Sequence, residues 1–160
     1  MKLIDWSAEP QSGLSLDDRP VPQALVLELL NHAVWAPNHR LREPWRFLYI
    51  ARDAAPDFLH RKAPAHLIIT IKNDSDPYKR NENLAAVFCL IQNFKLLAWE
   101  KKLGANVSFY DWMNDRRYSQ KLGVPEKEII AAVLDLGFYR EVPKAMSSAS
   151  PAALNWSLLS

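Results

Sequence analysis

The chain is poor in the residues that announce metal, phosphate or membrane chemistry. It has one cysteine, four glycines, and no apolar run longer than Leu84 to Ile91. A single cysteine forms no internal disulfide, so nothing points to an oxidising compartment. So few glycines leave no room for a glycine-rich phosphate loop. The apolar run falls far short of the ~20 residues that cross a bilayer. Met1 to Trp6 carries no apolar signal-peptide core, so a cytoplasmic protein with no membrane partner is expected. Neither charge sign dominates: 20 basic against 18 acidic residues give a net +2. That balance argues against a protein that lives on nucleic-acid phosphates. Six tryptophans and scattered arginines keep a nucleic-acid module as an alternative. The aromatics sit in periodic elements rather than along a basic stripe, which counts against it.

The 160 residues are 49% hydrophobic and 24% charged, enough for one self-sufficient globular domain over residues 1–160. Residues 1–21 hold Pro10, Pro20 and the turn-like Gln11-Ser12-Gly13, and read as an extended or loosely ordered arm. From Gln23 to Trp35 the apolar positions follow helical spacing. Pro37 stops that helix, because Ala36 is pushed out of the α region. Trp45 to Ile50 and His66 to Ile71 read as strands, the second buried. Residues 51–65 are a linker with one helical turn. Tyr78 to Leu103 has neither proline nor glycine and is apolar around most of its circumference, as in a core or interface helix capped by Gly104. A short strand over Ala105–Phe109, a short helix over Tyr110–Leu122 ended by Gly123, and a strand over Ile129–Phe138 follow. The tail keeps Leu154, Trp156, Leu158 and Leu159, and is expected to dock on another surface. The order of elements is that of an α+β fold.

His32, His39, His60 and His66 show no metal-ligand spacing with cysteine or a carboxylate. Cys89 reads as a small core hydrophobe. Ser7, Ser12 and Ser108 lack a nucleophile-elbow context. Asp111 to Arg117 reads as a solvated helix face. Residues 33–47 stand out. Pro37 and Pro44 bracket a loop that holds Asn38, His39, Arg40 and Arg42. Rigid ends with convergent donors suit a binding site, with His39 as a ring donor and the arginines as anion partners. A basic surface loop between helix and strand fits the same spacing.

The stretch Ala33-x-Trp35-Ala36-Pro37-Asn38-His39-Arg40-x-x-Glu43-Pro44-Trp45-Arg46-Phe47 resembles the signature of the nitroreductase-like flavoproteins, in their compact branch. Pro20-Val21-Pro22, Ala63-Pro64-Ala65, Asn83 to Gly104, Leu122 to Pro125, and Leu136-Gly137-Phe138 agree in the same order. The resemblance implies an α+β fold with a mixed sheet flanked by helices and a long central helix at a dimer interface. It implies a homodimer that binds FMN in the shared groove and passes a hydride from NAD(P)H to a small conjugated acceptor, nitroaromatic or quinone-like. The flavin carries the redox chemistry, so no catalytic side chain is assigned. Trp35 and His39 would lie against the flavin, with Arg40 beside them, and Ser12 would donate to the phosphate. Pro37, Pro44 and Trp45 would be scaffold.

Several family anchors are replaced. Pro10, Gln11 and Leu14 stand where the family carries basic residues around its serine. Val107-Ser108 replaces a Trp-Arg pair, and Ser147-Ser148 replaces another basic pair. Each lost charge-assisted hydrogen bond removes about 1.5–3 kcal/mol. A weakened FMN site is therefore expected. The alternative is a homodimer of this fold that has lost tight FMN binding and acts as a ligand-binding or structural protein. The linker over 51–65 is also short, which implies that a substrate-side helix is missing.

Overall fold

The computed structural model describes residues 16–38, 42–60, 62–141 and 156–157. Helix α1 (Gln23–Ala33) buries Val26, Leu29, Leu30 and Ala33, one face at helical spacing. It ends two residues before the expected Trp35. Ala36 must leave the α region ahead of Pro37, and the chain unwinds through a turn in which the Ala36 N–H reaches Ala33 O at 3.1 Å. Strand β1 (Trp45–Ala51) follows, then a 3-10 turn over Arg52–Ala54, the one turn expected of the linker. Strand β2 (Ala65–Lys72) is buried over its first seven residues.

Helix α2 (Pro77–Glu100) opens on Asp76, whose carboxylate accepts the Tyr78 N–H at 2.9 Å, with Pro77 in the first turn. Its end corrects the expectation that it runs to Leu103 and is capped by Gly104. Lys102 takes the positive φ of 57° that turns the chain, and Leu103 and Gly104 open strand β3 (Leu103–Ser108). The expected helix over Tyr110–Leu122 is two pieces. A 3-10 turn over Asp111–Asn114 precedes helix α3 (Arg116–Lys121), because Asp115 stops the first piece and caps the second by accepting the Arg117 N–H. Gly123, at φ 67°, ends α3 as expected. Strand β4 (Glu128–Phe138) completes the sheet.

The strand order is β1-β2-β4-β3. All three ladders are antiparallel, where a mixed sheet was expected. Strands β2 and β3 run the same way, joined across α2, but β4 inserts between them and pairs with both. Alternation then assigns two faces. Leu67, Ile69, Ile71, Leu134 and Leu136 meet α1 and α2 around Phe94, which is fully buried. Ile68, Ile130 and Val133 meet Leu59, Val124, Phe58 and Trp112 on the other side.

Helix α2 is not covered all round. Ala85, Phe88, Cys89 and Gln92 form an exposed stripe at i, i+3, i+4 and i+7. Cys89 lies on that stripe and not in the core, which corrects its reading as a buried hydrophobe. Trp156 is 76% exposed; Leu154, Leu158 and Leu159 lie outside the described residues. No helix among the described residues is long and apolar enough to cross a membrane.

Gly104 and Gly137 face each other across the β3–β4 ladder. Leu16, bridged to Tyr139, fills the slot their missing side chains leave. A Cβ on Gly137 would lie 2.9 Å from both Leu16 and the ring of Pro64. Gly137→Ala is expected to cost about 1–3 kcal/mol of stability, as overpacking does in well-filled cores. Urea unfolding measures it as a lower midpoint at unchanged slope.

Candidate functional site

Helix α1 delivers the bracketed loop. Trp35, in the turn after the helix, is 81% exposed, an unusual fraction for an indole. Pro37 is exposed and Asn38 half-buried. The Asn38 side chain donates to Ala36 O at 3.1 Å and accepts from the Glu43 N–H at 3.1 Å. Trp45 packs against the main core and anchors the far end of the loop in β1, the scaffold role expected of it. Arg42 is exposed. The carboxyl of Asp74, just ahead of α2, is held below its ordinary range, first by the Asp76 backbone N–H and then by the cations Lys79, Lys72 and Arg42. The motif thus keeps Trp35 and Arg42 at the surface. Ser12, His39 and Arg40 lie outside the described residues.

A second cluster sits on the opposite face of the sheet, and its partners are far apart in sequence. His66 and Asp135 are paired across β2 and β4 and are 0% and 6% exposed. His66 Nδ1 lies 2.8 Å from Asp135 Oδ1. An ionised carboxylate only accepts, so Nδ1 carries the proton. Ser108 Oγ donates to Asp135 Oδ2 at 2.6 Å, and the Tyr110 hydroxyl donates to both oxygens at 3.3 and 3.1 Å. His66 Nε2 is buried with no hydrogen-bond partner among the described residues. Burial pushes the Tyr110 hydroxyl up to about 12, with the Asp135 charge adding to it. Burial also works to raise the Asp135 carboxyl, but hydrogen bonds from His66, Ser108 and Tyr110, together with the His66 charge, hold it below the usual range.

Ser108 therefore spends its hydroxyl inside the protein. Aspartate is the hub and serine a donor to it, so this is not a nucleophile–base relay. The sequence carried two signals for the cluster: a histidine opening an apolar strand, and the one aspartate inside another. A cavity of about 260 Å³ on the same face is lined by Asn73, Asn114, Arg116, Glu126 and Glu128, among others. Its charges serve the fold. Arg116 donates to Val124 O and Glu128 O, and Glu128 accepts from Arg46 and Thr70.

No family model matches the chain. A Bacillus subtilis (strain 168) protein, YfhC, that carries the name of an NAD(P)H nitroreductase is 31% identical over 151 residues, covering 78% of each chain. The chain belongs to the nitroreductase family. A nitroreductase-like family protein from Bacillus cereus superposes with a TM-score of 0.77 at 26% identity, over 91% of this chain and 89% of that one. An FMN-dependent nitroreductase from Clostridium difficile R20291 superposes with a TM-score of 0.75 at 16% identity, over 98% and 100%. The nitroreductase fold and its α+β class are thus established for this chain. The family is one of oxidoreductases, and among the described residues the linker from β1 to β2 holds no regular element beyond the Arg52–Ala54 turn.

The Asp135 cluster gives this nitroreductase a defined acid sensitivity. The folded carboxyl ionises more readily than the unfolded one, whose value is about 3.9. Its contribution is complete above that value and is lost as the pH falls through the lower folded value. Asp135→Asn should therefore cost about 1.5–3 kcal/mol at pH 7, the scale of hydrogen bonds to a charged group. Urea midpoints of variant and native protein should converge below about pH 4.

Proposed function

We propose that this protein is an FMN-dependent oxidoreductase that takes a hydride from NAD(P)H and delivers it to a small conjugated acceptor, nitroaromatic or quinone-like. The observation that carries this reading is the bare indole of Trp35 beside the braced loop that begins at Asn38, in a chain of the nitroreductase family. An exposed indole and an exposed guanidinium at Arg42 suit a planar ligand with an anionic tail. The names of the Clostridium difficile structure and of the Bacillus subtilis relative agree with FMN and NAD(P)H respectively.

In this reading Trp35 covers one face of the ring and shields it from water. His39 donates to the ribityl or phosphate side, and Arg40 and Ser12 offer donors to the phosphate. FMN supplies the hydride chemistry when bound. The exposed stripe Ala85, Phe88, Cys89 and Gln92 on α2 is covered by a second copy of the chain, which makes the active unit a homodimer working in the cytoplasm.

A second reading has its own observation. Ser108 stands where the resemblance expects a cofactor-holding pair, and its hydroxyl is committed to Asp135. With Pro10, Gln11 and Leu14 in place of basic residues, this favours a homodimer of the same fold with weak FMN binding. A visible spectrum of purified protein, with and without added FMN, separates the two. The enzyme reading expects flavin bands that persist through gel filtration and bleach on addition of NADPH or NADH. A colourless protein that leaves flavin fluorescence unchanged on titration supports the second reading. His39→Ala and Trp35→Ala should each weaken FMN by about 1–3 kcal/mol. Sedimentation at micromolar concentration should show a dimer, and Phe88→Asp a monomer.

A further inference from the structure

The cavity on the face of the sheet away from α1 and α2 owes its lining to an irregularity in β4. Ile69 of β2 pairs with Ala132 and Thr70 with Ile130, so Ala131 is an extra residue. Such a bulge breaks the alternation of a strand and re-aims its side chains. Ala131 and Ala132 both join the core under the helices, while Ile130 turns to the other side with Val133. Glu128 turns with Ile130, and both line the cavity. Unbroken alternation from Val133 would send Ile129 to that face and keep Glu128 away from it.

The fold leaves most of the hydrogen-bonding capacity of the lining unspent. Both bonds accepted by the Glu128 side chain, from Arg46 and Thr70, end on Oε2 and leave Oε1. Ser119 on α3 is 4% exposed, yet among the described residues nothing hydrogen-bonds to its hydroxyl. The same holds for the side chains of Asn73, Asn114 and Glu126. The charges cancel: Arg46 is paired with Glu128, and Arg116 offsets Glu126. An anion would meet two carboxylates there, and a cation would meet a guanidinium. A neutral ligand with several hydroxyls can use acceptors and donors alike, and Met113 and Ile130 offer an apolar wall to its C–H face. The volume, about 260 Å³, lies below the ~300–1,000 Å³ of pockets for drug-sized ligands. We propose that this cavity binds a small neutral polyol of monosaccharide size, held by the side chains of Ser119, Asn73 and Asn114 and the carboxylates of Glu126 and Glu128. The site is separate from the FMN reading and does not rest on it.

Amide NMR titration of the full chain tests it, with D-ribose, D-xylose, D-glucose and D-galactose as ligands and inorganic phosphate and spermidine as charged comparisons. At least one sugar is expected to shift the side-chain amide signals of Asn73 and Asn114 saturably, with a dissociation constant on the order of 1 mM, as a few hydrogen bonds support. Ser119→Ala and Asn114→Ala should each weaken that sugar about three- to tenfold, the net worth of one hydrogen bond. Asn114 is exposed and its side chain holds nothing in the fold, so Asn114→Ala decides should Ser119→Ala not fold. No saturable shift from any sugar at about 50 mM, well above that constant, overturns the inference. Affinity unchanged in the folded variants also overturns it, because the sugar then binds elsewhere. Phosphate or spermidine that shifts the same signals at lower concentration than any sugar overturns it as well.

Discussion

The sheet is buried on both faces, and every polar side chain turned into it must find its partner there. That constraint organises the molecule. On one side the requirement is met by exclusion, with aliphatic residues against α1 and α2. On the other side, polar side chains lie among the apolar ones and are tied to one another. His66 reaches Asp135, Thr70 reaches Glu128, and Glu128 reaches Arg46. The first two ties join the neighbouring strands β2 and β4, and the third reaches over β2 from β4 to β1. An unpaired group there would cost about 1–3 kcal/mol, so the pairing also specifies the register. A shift of one residue would turn His66 toward the helices and take from Asp135 its histidine partner.

Asp135 also links this buried layer to the surface. Its acceptors hold Ser108 and Tyr110, the residues on either side of Phe109. Alternation along the chain sends Phe109 the other way, where it is 68% exposed and meets Phe88 with ring centroids 6.1 Å apart. Two faces of the protein are thereby joined through three consecutive residues. On the loop side the same economy appears in Asn38, a single amide that satisfies the Ala36 carbonyl and the Glu43 N–H.

The seven regular elements were legible from periodicity and from proline and glycine placement, and the α+β class with them. The errors cluster where local signals compete with distant contacts. Gly104 looks like a helix cap, yet its missing side chain serves Leu16 and Tyr139, neighbours from both ends of the described chain. Lys102 makes the turn in its place, which no propensity announces. Asp115 divides one expected helix into two because it serves as a cap. Cys89 sits in an apolar run, and the run alone does not reveal which side of α2 stays uncovered. The candidate site was legible as the motif over residues 33–47, and Trp35 at its edge is as accessible as a ligand-facing ring needs to be. The clamp made by Asn38 was not legible, since an asparagine in a loop is compatible with many turns. Nor was the His66–Asp135 pair, whose members are separated by 69 positions.

The lone thiol of the chain falls in the middle of the bare flank of α2, between Phe88 and the Gln92 turn. The molecule thereby carries a built-in chemical gauge of its own packing. A maleimide or a disulfide reagent reads, through one atom and with no added label, whether that flank is open to water or sealed by whatever lies across it.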